Sequence, residues 1–156
     1  MGPMVSEAQR EKVDAQVQDA VQGGARLLLG GQIPAGKGFF YPATVVADVR
    51  QDQRMAREET FGPVVSLARF SGEEKEAIRL ANDTAFGLGA NVWTADQALA
   101  QRVAAALRAG QVGINRYLGG APGTPWVGAR QSGFGFLGGI EGHRQFTTPK
   151  TICTAS

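Results

Sequence analysis

A chain of 156 residues, 43% hydrophobic and 19% charged, suits one folded domain, and a chain of that length buries about 70% of the surface its unfolded form exposes. Lys plus Arg number 16 and Asp plus Glu 14, a net charge of +2, and the basic residues are scattered, which argues against a nucleic-acid or membrane partner. The single cysteine, Cys153, excludes an intrachain disulfide. No run approaches the ~20 apolar residues of a membrane span and no signal-peptide pattern opens the chain, so a cytoplasmic protein is expected.

The first predicted helix covers 6–22. Ser6 precedes Gln9 by three, a capping-box pattern, and Val13, Val17, Ala20 and Val21 follow as an apolar stripe ended by Gly23-Gly24. Strand candidates follow at 25–29, 44–49 and 64–70. A second capping box, Ser71 with Glu74, opens a helix over 71–85 carrying Ile78, Ala81 and Ala85. A strand at 89–94 leads to a third box, Thr94 with Gln97, and a helix over 95–109 with Leu99, Val103, Ala106 and Leu107. A strand at 111–115, a Gly/Pro-rich stretch from 117 to 139, a helix at about 139–147 and a strand candidate at 150–154 complete the chain. The strand runs are nearly continuous in apolar residues, as in strands covered on both faces. Helices and strands alternate, so the class is α/β with a mostly parallel sheet, 25–29, 64–70, 89–94 and 111–115 sharing it. No internal repeat and no linker divides the chain.

Few residues offer catalytic chemistry. A Cys–His pair can make a thiolate, but Cys153 lies in the tail and nothing places His143 beside it, so both read as surface residues. One Cys and one His show no zinc-ligand spacing. Gly133-Phe134-Gly135-Phe136-Leu137-Gly138 matches G-x-G-x-x-G, yet no clear strand precedes it and no acidic residue follows at the required distance, so it reads as a glycine-rich loop. Glu58-Glu59-Thr60-Phe61-Gly62-Pro63 is more informative. A carboxylate at a strand mouth can accept both hydrogen bonds of a ribose diol, and a neighbouring ring can pack on a flat heterocycle. Taken alone, the segment also reads as a helix end, a turn and a strand.

Six segments in order carry a family resemblance. They are Gly2-Pro3-Met4-Val5, Gly38-Phe39-Phe40-Tyr41-Pro42-Ala43-Thr44-Val45, Ala56-Arg57-Glu58-Glu59-Thr60-Phe61-Gly62-Pro63-Val64, Ala81-Asn82-Asp83-Thr84-Ala85-Phe86-Gly87-Leu88, Gly110-Gln111-Val112-Gly113-Ile114-Asn115 and Pro125-Trp126-Val127-Gly128-Ala129-Arg130-Gln131-Ser132-Gly133. Along nearly its whole length the chain resembles the C-terminal part of the NAD(P)-dependent aldehyde dehydrogenases. It departs at Val127, where glycine is usual, and at Phe136-Leu137, where Arg-Glu is common.

The resemblance implies part of that family's catalytic domain over 1–148 and an oligomerisation arm over 149–156. It implies that Glu59 binds the nicotinamide ribose, that Phe61 packs near the nicotinamide and that Trp126 walls the aldehyde tunnel. The family uses NAD or NADP to oxidise an aldehyde to a carboxylic acid, and its nucleophilic cysteine, its glutamate base and its dinucleotide domain lie upstream of the Gly-Pro segment at which this chain starts. The expectation is therefore a C-terminal dehydrogenase fragment, inactive as an isolated chain, with no tight cofactor site or catalytic residue of its own. Self-association is expected, and the missing N-terminal portion of the same enzyme is a candidate partner. The alternative is a non-catalytic oligomerising or partner-binding domain that kept the fold.

Overall fold

The computed structural model describes residues 1–117 and 122–155, which form two compact units, Met1–Glu73 and Glu74–Ser156. The α/β class holds: helices alternate with strands, and two strand pairs are parallel.

The first unit is built on helix α1 (Glu7–Gln22). Ser6 caps it, its hydroxyl accepting from Gln9 N at 3.2 Å, and Gly24, at φ +97, turns the chain away at the other end. Val13, Val17 and Ala20 are fully buried at helical spacing. They join Ala25, Tyr41, Val46, Val49 and Met55 in one core. The sheet beneath has the order β1 (Arg26–Leu29), β2 (Thr44–Ala47), β3 (Val64–Leu67). Central β2 is the buried strand. Thr44 secures its start, accepting from Gly31 N at 2.9 Å and donating to the Pro42 carbonyl at 2.9 Å. Gly30 passes so close to the Ala43 carbonyl that no side chain fits, and its φ of +68 suits glycine. The short helix α2 (Arg54–Arg57), which periodicity did not reveal, lies on the crossover from β2 to β3 and sends Met55 into the core.

The second unit contains a β–α–β element. Strands β4 (Gly89–Val92) and β5 (Gln111–Ile114) pair in parallel, and α4 (Gln97–Ala106) connects them. Helix α3 (Glu74–Asn82) precedes them. A two-residue antiparallel pair, β6 (Trp126–Val127) with β7 (Phe136–Leu137), and α5 (Gly139–Gln145) follow.

Several expectations are corrected. The strands do not share one sheet: among the described residues there are three. Strand β1 runs antiparallel to β2, because the connection over 30–43 contains no helix and simply returns the chain alongside. Parallel pairs need a crossover, and only β2–β3 and β4–β5 have one. Strands β2 and β5 also stop early. Asp48 at φ +59 and Asn115 at φ +51 take the left-handed conformation, which Asp and Asn tolerate better than β-branched residues do. Of the capping-box residues, Ser6 caps its helix and Thr94 does not. Asp96 caps α4, accepting from Leu99 N at 3.0 Å, while Thr94 accepts from Asp96 N in a tight turn. Ser71 accepts from Glu73 N, just ahead of α3. The 150–154 stretch forms no strand within the chain. Within the Gly/Pro-rich 117–139 stretch, positions 118–121 lie outside the described residues.

Met55 sits in the core with 5% exposure. Met55→Ala is expected to lower unfolding free energy by about 2–5 kcal/mol in urea titration. Phe134→Ala, at a fully exposed ring, should stay within about 0.5 kcal/mol.

Candidate functional site

Glu59 and Phe61 lie on the loop between α2 and β3, and four residues of α1 hold that loop. Gln9, Lys12, Val13 and Gln16 follow the i, i+3, i+4, i+7 spacing of a single helix face. Gln9 Nε2 donates to the Thr60 carbonyl at 2.9 Å and to the Phe61 carbonyl at 3.2 Å. Lys12 Nζ donates to the Glu59 carbonyl at 3.4 Å. Val13 lies so close to Gly62 that a Cβ there would sit 2.6 Å from a valine methyl. Gln16 Nε2 donates to the Glu58 carboxylate at 3.0 Å.

The two adjacent glutamates meet different environments. Glu58 is taken up by the protein. Arg54 Nε and Nη2 reach its two oxygens at 2.9 and 3.1 Å, and Gln16 adds a third donor. These bonds, the Arg54 pair first, hold its carboxyl below the ordinary value of 4.5. Glu59 is exposed, and the bonds that fix the loop engage its backbone carbonyl and leave its carboxylate facing water. Phe61 adopts φ +48 and leaves its ring 71% exposed. An accessible carboxylate and an accessible ring thus stand two residues apart on a braced backbone, an arrangement able to accept hydrogen bonds from a hydroxyl pair and to pack against a flat ring.

Trp126 is half-buried on β6, in the second unit. Its strand is positioned from both sides. Gln111 Nε2 donates to the Pro125 carbonyl at 3.0 Å, and the Val127 carbonyl lies against Gly110, where no side chain fits. Opposite it are Leu137, paired with Trp126, and Phe136, paired with Val127. The two departures from the family pattern, Val127 and Phe136-Leu137, are thus cross-strand partners.

The remaining candidates are surface features. Cys153 is exposed, and His143 lies on α5 with Nδ1 2.8 Å from the Gly139 carbonyl, so no bond joins them. The G-x-G-x-x-G segment contains β7 inside the motif rather than following a strand. No group of three His, Cys, Asp or Glu that could hold a metal occurs among the described residues. No helix among them is long and apolar enough to cross a membrane.

Gln9, Lys12 and Gln16 were missed as site residues. In sequence Gln9 fits the capping box with Ser6, but its side chain reaches across the fold instead. The available signal was a polar i, i+3, i+7 row beside the apolar stripe, whose target loop lies about fifty residues away in sequence.

With this geometry in place, the comparisons with known proteins identify the class. A profile described as "Aldehyde dehydrogenase family" matches residues 1–152. An aldehyde dehydrogenase of Paenarthrobacter nicotinovorans is 42% identical over 99% of this chain and 33% of its own length. An NADP(+) succinate-semialdehyde dehydrogenase of Mycobacterium avium is 43% identical over the whole chain and 33% of its own. The crystal structure of a Mycobacterium tuberculosis aldehyde dehydrogenase complexed with NAD+ superimposes with a TM-score of 0.89 at 40% identity, covering 95% of this chain and 31% of that one. Lactaldehyde dehydrogenase from Escherichia coli gives 0.88 at 38% identity, covering 94% and 30%. The chain belongs to the NAD(P)-dependent aldehyde dehydrogenase family. It spans about a third of the length of the curated relatives it matches.

Because the Glu58 carboxyl is held below its ordinary value in the fold, the stability it contributes is present above about pH 4.5. It is lost as the pH falls through the lowered folded value. Glu58→Gln is therefore expected to be less stable than the native chain at neutral pH, with the gap closing on acidification. Urea midpoints across a pH series measure this, and a gap that stays constant down to pH 3 would show that the charge is irrelevant.

Proposed function

We propose that this chain supplies the nicotinamide-ribose contact and part of the aldehyde tunnel wall for NAD(P)-dependent oxidation of an aldehyde to a carboxylic acid. The observation that supports this reading best is the 58–62 loop: one glutamate is consumed in bracing, and the next is left accessible beside an exposed ring. In this role Glu59 accepts hydrogen bonds from the ribose hydroxyls, Phe61 packs against the nicotinamide end and Trp126 lines the aldehyde path. The bound nicotinamide supplies the acceptor for the departing hydride. By the family resemblance, the thiolate that captures the aldehyde and the base that activates water are contributed by polypeptide other than these 156 residues. Cys153 is exposed in the tail and stands in no helix. The setting proposed is the cytoplasm.

A second reading, of an oligomerising or partner-binding domain, draws support from exposed apolar side chains: Phe134, Phe146 and Ile152 are 100%, 83% and 78% accessible. Such surface commonly marks an interaction site. Both readings include self-association, and light scattering that reports only monomer across the micromolar range would remove it.

In a complete dehydrogenase carrying this chain, Glu59→Gln is expected to slow hydride transfer more than it weakens cofactor binding. A misplacement of about 1 Å can cost ~100-fold in rate. Pre-steady-state turnover with a deuterated aldehyde is the measurement, and an unchanged rate with an unchanged isotope effect would exclude the Glu59 role. The 156-residue chain alone, given NAD or NADP and a panel of aldehydes, is expected to form no reduced nicotinamide. Turnover that survives repurification and disappears in Cys153→Ser would contradict this.

A further inference from the structure

We infer that Leu137 is a specificity-determining residue of the aldehyde path: beside Trp126 it forms an apolar wall that selects aldehydes with an alkyl or aryl chain over those with a charged tail. The inference rests on the proposed role of Trp126 in that path and names the substrate class the path would serve.

Register decides which side chains share the wall. Trp126 pairs with Leu137, and Val127 with Phe136, across the antiparallel pair of β6 and β7. Residues directly opposite each other project from the same face, with Cβ atoms about 4.5–5.5 Å apart, and neighbours along a strand project from opposite faces. Trp126 and Leu137 therefore stand side by side, and Val127 and Phe136 share the other face. Val127 points toward the body of the unit, its Cβ lying 3.1 Å from a Cβ built on Gly110, just ahead of β5. The Trp126–Leu137 face is the one turned away from Gly110. Leu137 is 64% exposed there, and Trp126 is half-buried.

The pair is held through the main chain. Gln111 Nε2 donates to the Pro125 carbonyl at 3.0 Å, one residue before Trp126, and Gln145 Nε2 donates to the Phe136 carbonyl at 2.8 Å, one residue before Leu137. Beyond Leu137, Gly138 and Gly139 take φ +73 and +64, and a Cβ on Gly139 would sit 3.2 Å from Pro125 N. The chain just after Leu137 thus abuts the chain just before Trp126, which resists any slip of one strand past the other. None of these contacts uses the side chain of Trp126 or Leu137.

The chemistry of the face sets what it accepts. Leu137 has no polar group, and Trp126 offers one donor, its indole N–H, and no charge. Where the family pattern commonly has Arg-Glu, this chain has Phe136-Leu137, so the wall offers no ion-pair partner. A carboxylate laid on it would lose water without compensation, whereas an alkyl or aryl chain gains by leaving water. A quaternary ammonium is best held by a cage of several rings, and the nearest ring across the strand pair, Phe136, projects from the opposite face.

The test compares aldehydes in the complete dehydrogenase carrying this chain. Each methylene withdrawn from water is worth about fourfold in affinity, so kcat/KM for hexanal is expected to exceed that for propanal about tenfold or more. Hexanal is also expected to be preferred to succinic semialdehyde and to betaine aldehyde. Leu137→Gln, which puts an amide on the wall, is expected to lower the hexanal-to-propanal ratio about fivefold or more. Leu137→Met, again apolar, should keep the ratio within about twofold of native, as should Phe136→Gln on the opposite face. Loss of folded enzyme lowers both rates together, so misfolding does not produce a fall in the ratio. An unchanged ratio in Leu137→Gln overturns the inference, as does an equal fall in Phe136→Gln or a native preference for either charged aldehyde. If Leu137→Gln leaves the ratio unchanged while Glu59→Gln slows hydride transfer, the Leu137 role alone falls. If none of these aldehydes is oxidised, the functional reading fails and this inference fails with it.

Discussion

The first unit depends on the two neighbouring faces of α1. Val13, Val17 and Ala20 seal the core over β2, while Gln9, Lys12 and Gln16, a fraction of a turn away, hold the 58–62 loop. Val13 belongs to both faces, because it is buried in the core and lies against Gly62. Core packing therefore sets the height of the loop above the sheet, and the polar row sets its backbone conformation. Close-packed interiors transmit small displacements rather than absorbing them. A volume change at Val13 or Val17 is consequently felt at Phe61, two residues from the proposed ribose ligand.

The second unit is held together differently. Among the described residues its one buried apolar side chain is Ala100, and side chains clipped to backbone do much of the joining. Asn82 Nδ2 donates to the Ala106 carbonyl at 2.9 Å and its Oδ1 accepts from Arg108 N at 2.7 Å, closing the end of α4 onto the end of α3. Asn115 grips both the N–H and the carbonyl of Thr94, joining the ends of β4 and β5. Arg130 donates to the Asn82 and Thr84 carbonyls, and Ser132 Oγ accepts from Gly87 N at 3.0 Å. These clips bind the segment around Thr84–Gly87 to the strand-and-turn segment that follows Trp126. The sequence segments that carry the family resemblance in this half are thus tied to one another by side-chain-to-backbone bonds.

That division explains what could be read from the sequence. Helix α1 was legible because its stripe and its cap are local, and β4–α4–β5 was legible because apolar runs and helical spacing alternate cleanly there. Helix α2 was not, since a four-residue helix with one buried side chain, Met55, has no period to detect. The direction of β1 was not either, because parallel or antiparallel pairing is decided by the path of the 30–43 connection rather than by the strand itself. Glu59, Phe61 and Trp126 were named from family resemblance. The bonds that hold the 59–61 backbone were hidden because a polar row on a helix does not name its target, and the partners lie far away in the chain, 51 residues in the case of Gln9 and Thr60.

The adjacent glutamates show how a fold separates two identical side chains. Position 58 ends α2, at i+4 from Arg54, where a helical ion pair forms readily, and it also lies within reach of Gln16. Its carboxylate already accepts from three donors, two on Arg54 and one on Gln16. One residue later the chain has left the helix, and its peptide carbonyl, rather than its side chain, meets Lys12. The Glu59 carboxylate therefore keeps its full accepting capacity. A site that must bind a hydroxyl pair needs an acceptor with unfilled lone pairs on a backbone that does not wander. Glu58 and Gln9 help to fix the backbone, and the Glu59 carboxylate is left with its accepting capacity. Exchanging the environments of 58 and 59 would preserve composition, net charge and helix length, yet it would leave the loop without an available carboxylate.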